Sequence, residues 1–288
     1  MKTNTETFRK IFYVALVNTL LITVCYSQDV EYYLKDRGTG IATSMFGTYI
    51  NEGEIILYPF FEYYYDKNAE YEPFEFGYGL EEDFRGKYTA SEALFYIGYG
   101  ISEWVMVEFE AAFIDATQWK AGNDPSNMPE KLNESGLGDV EGQIRWRYFR
   151  EAEKMPEVFS YFETVFPFQQ DKELIGTQDW EFKFGSGVIK GYNWGTMTLR
   201  AALEYNSGEN KVELGEYAIE YLKRVSDFFR FYVGMEGAQD EVEMIADLQF
   251  HFKPWMFFRV NNAFGITSKA TDFAPEIGLL FYLNKMQE

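Results

Sequence analysis

The stretch from Gly136 to Arg150, GLGDVEGQIRWRYFR, leaves its glycines in strict two-residue alternation, and no other feature limits the fold so tightly. Val140, Gly142, Ile144, Trp146 and Tyr148 fall on one side of a strand, and Asp139, Glu141, Gln143, Arg145 and Arg147 fall on the other. A soluble sandwich could turn the apolar face inward, so one strand alone does not say which face meets water and which meets lipid. The whole series of strands does. Similar segments are expected at about 54 to 65, 86 to 98, 103 to 114, 139 to 149, 157 to 168, 179 to 190, 194 to 205, 214 to 225, 227 to 236, 241 to 252, 254 to 265 and 273 to 283. Alternation is clean late in the chain, where Val242, Met244, Ala246, Leu248, Phe250 and Phe252 oppose Glu243, Asp247, Gln249 and His251, with Ile245 as the exception.

The connections carry a second signal. Those after odd strands tend to be long, as in Asp66 to Arg85, Asp115 to Gly138 and Gln169 to Gln178. Those after even strands are short, as in Tyr99 to Ser102, Gly191 to Asn193 and Lys253 to Pro254, with Arg150 to Pro156 the longest. Long loops on one side and tight turns on the other are the habit of outer-membrane barrels, and an even strand count brings both ends of the barrel to the periplasmic side. The expected fold is all-β: a single transmembrane antiparallel β-barrel of about 12 strands over residues 54–288, after an N-terminal signal peptide.

The first residues support that address. Arg9 and Lys10 precede an apolar run that ends in small or polar residues, the pattern of a secretory signal over residues 1–27 with cleavage near Ser27 or Gln28. The run is short for a membrane anchor. Bulky Val24 before Cys25 disfavours lipid attachment, and loss of Cys25, the only cysteine, leaves no disulfide. Residues 28–53 are polar and broken by Gly38, Gly40 and Gly47, which suits a periplasmic lead-in or partial plug. Aromatic residues make up 19% of the chain, as suits strands that set rings at membrane interfaces. Removing the signal takes the net charge from −20 to −22, a poor balance for binding nucleic acid.

Gly136, Leu137, Gly138 and Asp139, expected to open a strand, are followed by Phe166 and Pro167 near the end of the next. With these signposts the chain resembles the outer-membrane proteins grouped under the MetA pathway of phenol degradation, most clearly over about residues 136 to 205. The resemblance implies a small barrel that helps hydrophobic or aromatic compounds cross the outer membrane. The family often follows its proline with a small residue and a glycine, whereas this chain has Phe168 and Gln169.

Candidate site residues are the charges in the polar phase of their strands: Glu108, Glu110, Glu141, Arg145, Arg147, Glu163, Arg200, Glu204, Glu216, Glu220, Arg230, Asp247 and Arg259. Mixed signs favour mutual neutralisation across a narrow lumen over a strongly ion-selective pore. Counting from the neighbouring turns places Arg230 between Glu220 and Asp247, as a brace. His251 is the sole histidine, with no serine near it in sequence, so it is expected to be a structural lumen residue hydrogen-bonded in place, and no enzyme is expected. No metal or nucleotide motif occurs, and no cofactor is expected. The first long loop, with Asp66, Glu70, Glu72, Glu75, Glu81, Glu82 and Asp83, is dense enough in carboxylates to suggest divalent cations shared with lipopolysaccharide, against the plainer reading of solvated loop charge. The functional expectation is a passive uptake channel for small molecules, hydrophobic or aromatic ones among them, in a Gram-negative outer membrane. Its partners would be outer-membrane lipid and lipopolysaccharide. The rival is a non-transporting surface barrel whose acidic loops bind a partner or divalent cations.

Overall fold

Strands whose faces differ this sharply must hide one face from the solvent that surrounds the other, and a sheet closed on itself does so without leaving an edge. The computed structural model describes residues 30–168 and 172–284, so the expected signal peptide lies outside the described residues. Two units are distinguished, Met1–Glu31 and Tyr32–Glu288, and everything below belongs to the second. It begins with a 3-10 turn (Tyr32–Leu34) and a small hairpin of β1 (Ile41–Ala42) and β2 (Tyr49–Ile50). Twelve long strands follow among the described residues: β3 (Glu54–Tyr71), β4 (Phe84–Gly100), β5 (Val105–Trp119), β6 (Lys131–Phe149), β7 (Glu157–Phe166), β8 (Glu181–Tyr192), β9 (Gly195–Asn206), β10 (Lys211–Arg224), β11 (Phe229–Ala238), β12 (Glu241–Lys253), β13 (Met256–Gly265) and β14 (Ala274–Asn284). Each pairs antiparallel with its chain neighbours, and β14 pairs with β3 to close the barrel.

The closed sheet is the inverse of a soluble sandwich. Ile144 and Tyr148 of β6 stand 40% and 49% exposed on the outside, while Arg145 and Arg147 are buried at 4% and 5% on the inside. Rings gather outside at both ends of the wall. At the short-turn end Tyr192 stacks on Trp194 at 4.9 Å, and Trp194 on Tyr221 at 5.7 Å. Near the long-loop end Phe166, Trp180, Phe182 and Tyr205 form a run of contacts at 5.6, 5.9 and 6.4 Å. Two aromatic girdles around an apolar band are what a bilayer's interfaces select.

Strands β3 to β6 run further toward the long loops than alternation alone predicts. Asp66 and Glu70 therefore belong to β3, not to a loop, and Glu70 pairs with Arg85 at 2.8 Å and Lys269 at 3.1 Å. The Gly136–Asp139 motif likewise does not open β6; it interrupts it. Ala111 pairs with Val140 and Phe113 with Leu137, so Ala112 alone faces both Gly138 and Asp139 in a β-bulge. Gly136, at φ 148°, holds a backbone conformation that side-chain-bearing residues avoid, and a Cβ on Gly138 would lie 2.3 Å from the Ile114 side chain. The extra residue flips the parity of the strand. Leu137 before it points out, and Glu141, Gln143, Arg145 and Arg147 after it point in.

The β1–β2 hairpin is held inside the barrel. Arg145 on β6 donates to the carbonyls of Thr43 at 2.8 Å and Ala42 at 3.2 Å, while Gln249 on β12 donates to that of Phe46 at 3.3 Å. In the ring of twelve, β6 and β12 lie six strands apart in either direction, so a hairpin bonded to both spans the lumen. Close approach of the chain to the wall needs glycine at Gly191, where a Cβ would sit 1.8 Å from the Tyr33 carbonyl oxygen, and at Gly100, where it would sit 2.0 Å from that of Asn51.

The face assignment makes a direct test. Val233, 40% exposed on the outside of β11, is expected to lose about 2–4 kcal/mol when changed to Arg, as for a charge near the bilayer midplane. Glu243→Gln on the lumen face should cost far less, both read from urea unfolding in lipid vesicles. Equal costs would refute the assignment of faces.

Candidate functional site: the charged lumen and its hairpin

Across an antiparallel pair, an inward residue meets its direct partner and the two diagonal neighbours two positions along. Arg200 on β9 uses all of this geometry. It lies opposite Ala218, whose small side chain leaves room above it, and Glu216 and Glu220 are its diagonals on β10. Ala218 in turn lies opposite Glu236 on β11. The guanidinium therefore reaches three carboxylates at once, with Nε 2.9 Å from Glu220, Nη2 2.8 Å from Glu236, and Nη1 on Glu216. Lys183 on β8 extends the network, 3.0 Å from Glu163 and 3.3 Å from Glu216. Glu163 also accepts from Gln143 at 2.6 Å.

Arg259 repeats the plan on the other side of the barrel. It lies opposite Gly278, with Glu276 and Asp247 on its diagonals at 3.8 and 3.3 Å. The side chain is fully buried, its guanidinium lying 5.4 Å from the Phe46 ring of the hairpin and 5.7 Å from that of Tyr58. Tyr58 donates its hydroxyl to Glu276, which fixes one of the two carboxylates.

A third cluster fastens the hairpin's leading segment. Arg37 sets Nε 3.1 Å from Glu151 and Nη2 2.7 Å from Glu157 on β7. Arg147 shares Glu157 at 3.2 Å and donates to the carbonyls of Thr39 at 3.0 Å and Gly40 at 3.3 Å. Glu151 also takes Lys190 at 3.1 Å and the Gly191 amide at 2.6 Å. Burial by itself would lower the pKa of Arg37, but Glu157, Tyr49 and Glu151 together outweigh it and hold the guanidinium above its ordinary value. Glu108 on β5 grips the hairpin tip, accepting from the Ser44 amide at 3.0 Å and from its hydroxyl.

The remaining expected lumen charges are less satisfied. Glu110 on β5 lies directly opposite Glu141 on β6, and Glu204 on β9 opposite Glu213 on β10 and Lys183 on β8. Two further carboxylates, Glu62 and Glu92, face each other across β3 and β4. The lumen half toward the long loops is thus rich in acid, and the half toward the short turns is rich in arginine.

Arg230 does not form the brace expected of it. It lies opposite Arg224 on β10 and Gln249 on β12, four positions from Glu220, and Asp247 is taken by Arg259. The connection from Arg224 to Phe229 is longer than a tight turn at Ser226, and the added residues slide the register. The brace exists one strand pair away, on Arg200. His251 departs from expectation as well: its Nε2 has no hydrogen-bond partner among the described residues, and its ring lies 4.5 Å from that of Phe257. Among the described residues, no group of three or more His, Cys, Asp or Glu is arranged to hold a metal ion.

Several members of these clusters escaped the sequence. Lys183, Glu236 and Glu276 sit in the polar phase of their strands, so parity alone could have added them. Arg37 and Glu151 lie outside any strand and carry no periodic signal.

No protein-family model matches the sequence, and no curated protein is similar to it in sequence. The fold, in contrast, is similar to that of the COG4313 outer membrane channel from Pseudomonas putida F1, at a TM-score of 0.62 and 12% identity over 81% of this chain and 97% of that one. The translocator domain of the autotransporter NalP from Neisseria meningitidis is a more distant likeness, at a TM-score of 0.45 and 10% identity over 81% of this chain and 89% of that one.

Removing Arg200 leaves Glu220 and Glu236 without a cation and Glu216 with Lys183 alone. Arg200→Ala is therefore expected to cost about 3–5 kcal/mol in urea unfolding. Adding Glu216→Gln, Glu220→Gln and Glu236→Gln should restore most of it. A loss under about 1 kcal/mol for the single change, in the range of a surface ion pair, would show that the network carries no such load.

Proposed function

We propose that this chain is an outer-membrane channel that passes small molecules passively and that the β1–β2 hairpin narrows its lumen. The observation that carries the reading is the hairpin hydrogen-bonded to opposite walls of a barrel whose outer face is apolar and whose inner face is charged. The likeness in fold to an outer membrane channel supports it. In this reading the short turns face the periplasm, the long loops face outward, and the two aromatic girdles contact outer-membrane lipid and lipopolysaccharide.

The inner wall also suggests what passes. Ile56, Tyr58 and Phe60 of β3, Phe257 of β13 and Leu280 of β14 form a buried apolar sector packed with Ile41 and Ile50 of the hairpin, whereas the ion pairs of Arg200 and Arg147 occupy the wall from β6 to β11. A small hydrophobic or aromatic solute can follow the first sector, where the charge of Arg259 is already neutralised by Asp247 and Glu276. That agrees with the substrates implied by the MetA-pathway family, to which we assign the chain on its Gly136–Asp139 motif. No catalytic role is proposed for any residue.

The test is conductance in planar bilayers, with localisation as its premise. The mature chain should fractionate with the outer membrane and migrate differently on gels before and after boiling. Arg37→Ala removes the cation that ties the hairpin's leading segment to Glu151 and Glu157, and it should raise mean single-channel conductance and its fluctuation above wild type. Deleting residues 32–50 should raise it further. A folded barrel that conducts in none of these forms would be a non-transporting barrel, and equal conductance in all three would remove the hairpin from the path.

A further inference from the structure

One cavity in the barrel has chemistry that neither the ion-pair network nor the hairpin uses. It lies at the short-turn end beside the hairpin's base, has a volume of about 170 Å³, and is lined by Arg37, Tyr49, Glu54, Arg230, His251 and Tyr282 among others. Arg37 is spent on Glu151 and Glu157, and Glu54 accepts from the Asn51 amide at 2.9 Å and side chain at 3.2 Å. Arg230 is different. Arg37, Arg147, Arg200 and Arg259 each meet carboxylates, and Arg145 donates to hairpin carbonyls, but Arg230 has no ion-pair or hydrogen-bond partner among the described residues. The nearby charges that act on it do not satisfy it: Arg224 repels it, and Asp36 is already held by Lys223 at 3.3 Å and the Arg224 amide at 2.8 Å.

The groups around it follow from register. Arg230 lies opposite Gln249, so its inward diagonals on β12 are Asp247, which is held by Arg259, and His251, which lies opposite Phe257. Phe257 lies 4.5 Å from the His251 ring, tilted by 31°, and 6.1 Å from the Tyr282 ring. Three rings from β12, β13 and β14 therefore stand side by side next to an unpaired guanidinium. The Nε2 of His251 is buried and unpartnered, ready to donate as an N–H in one neutral tautomer.

We propose that this cavity binds a small planar monocarboxylate, whose carboxylate takes the Arg230 fork and the His251 Nε2 donor and whose body lies against the His251 and Tyr282 rings. A guanidinium presents paired donors that match a carboxylate's two oxygens. The space suffices for one ring, since a pocket of about 150 Å³ holds benzene. Glu54, in the same cavity, disfavours a second carboxylate on the ligand and so selects against diacids. The site opens at the short-turn end, away from the carboxylate-rich half of the lumen. It does not require the barrel to conduct, so failure of the channel reading would leave it standing.

The test is calorimetric titration of the purified, folded mature protein in detergent with benzoate, with benzamide as its uncharged counterpart, and with inorganic phosphate. Benzoate should bind at a single saturable site, with benzamide and phosphate each at least about ten-fold weaker, because a buried donor set left unmatched discriminates on that scale. Arg230→Gln should weaken benzoate at least about ten-fold and leave benzamide unchanged. Equal binding of benzoate and benzamide, phosphate binding as tightly as benzoate, or unchanged benzoate binding in Arg230→Gln would each overturn the proposal. Should that variant fail to show the folded, heat-modifiable form, the wild-type comparison of benzoate with benzamide and the variant His251→Gln, expected to weaken benzoate, decide the matter.

Discussion

An arginine that points into a narrow barrel must find its countercharge within two residues along a neighbouring strand, because its reach is fixed by the pleat and the alternative is an uncompensated charge out of bulk water. Arg200 and Arg259 solve this in one way. Each stands opposite a residue with little or no side chain, Ala218 and Gly278; Arg200 finds carboxylates on both diagonals of β10, and Arg259 finds one on a diagonal of each flanking strand. The small residue is as much a part of the device as the acids, since a large one would block the guanidinium from crossing the strand. Gly278 is doubly constrained, for a Cβ there would also lie 2.5 Å from the Tyr58 ring.

The same demand for local partners explains how a short stretch of chain can reside within the lumen. A two-residue pairing between β1 and β2 leaves most of the segment's carbonyls unmatched by its own backbone, and buried carbonyls need donors. Arg145 and Arg147 supply them from β6, and Arg37 in turn gives a second cation to each of the buried acids Glu151 and Glu157, beside Lys190 and Arg147. Wall and hairpin therefore complete each other's polar groups. Neither would be satisfied with the other removed, which is why the hairpin's hold on the wall is electrostatic at one end and hydrogen-bonded along its length.

How much of this was legible in the sequence follows from what each feature depends on. Strand identity and facing depend on parity, a property of a few consecutive residues, so the twelve strands could be read from alternation, as in Val242 to Phe252. Register depends on every residue between two strands. The connection of Val225 to Phe228 moved Arg230 away from Glu220, and the bulges at Gly138–Asp139 and at Gly215–Glu216 each insert a residue that alternation cannot announce beforehand. Arg37 was least legible of all. Its partners are more than 110 positions away and it lies in no repeating element, so only the folded wall gives its charge a meaning.

The distribution of unsatisfied charge gives the lumen a direction. Facing carboxylates, Glu62 with Glu92 and Glu110 with Glu141, lie toward the long loops, and like charges directly opposite one another destabilise a sheet unless water or cations intervene. Arg145 and Arg230, neither in an ion pair among the described residues, lie toward the short turns. An ion entering from the long-loop side would meet attraction and then repulsion, or the reverse, according to its sign. A neutral solute meets neither, and beside the apolar sector of Ile56, Tyr58, Phe60 and Leu280 the nearby charges, Arg259, Asp247 and Glu276, are already paired with one another. Charge of opposite sign toward the two ends thus gives the lumen wall a polarity along the barrel axis.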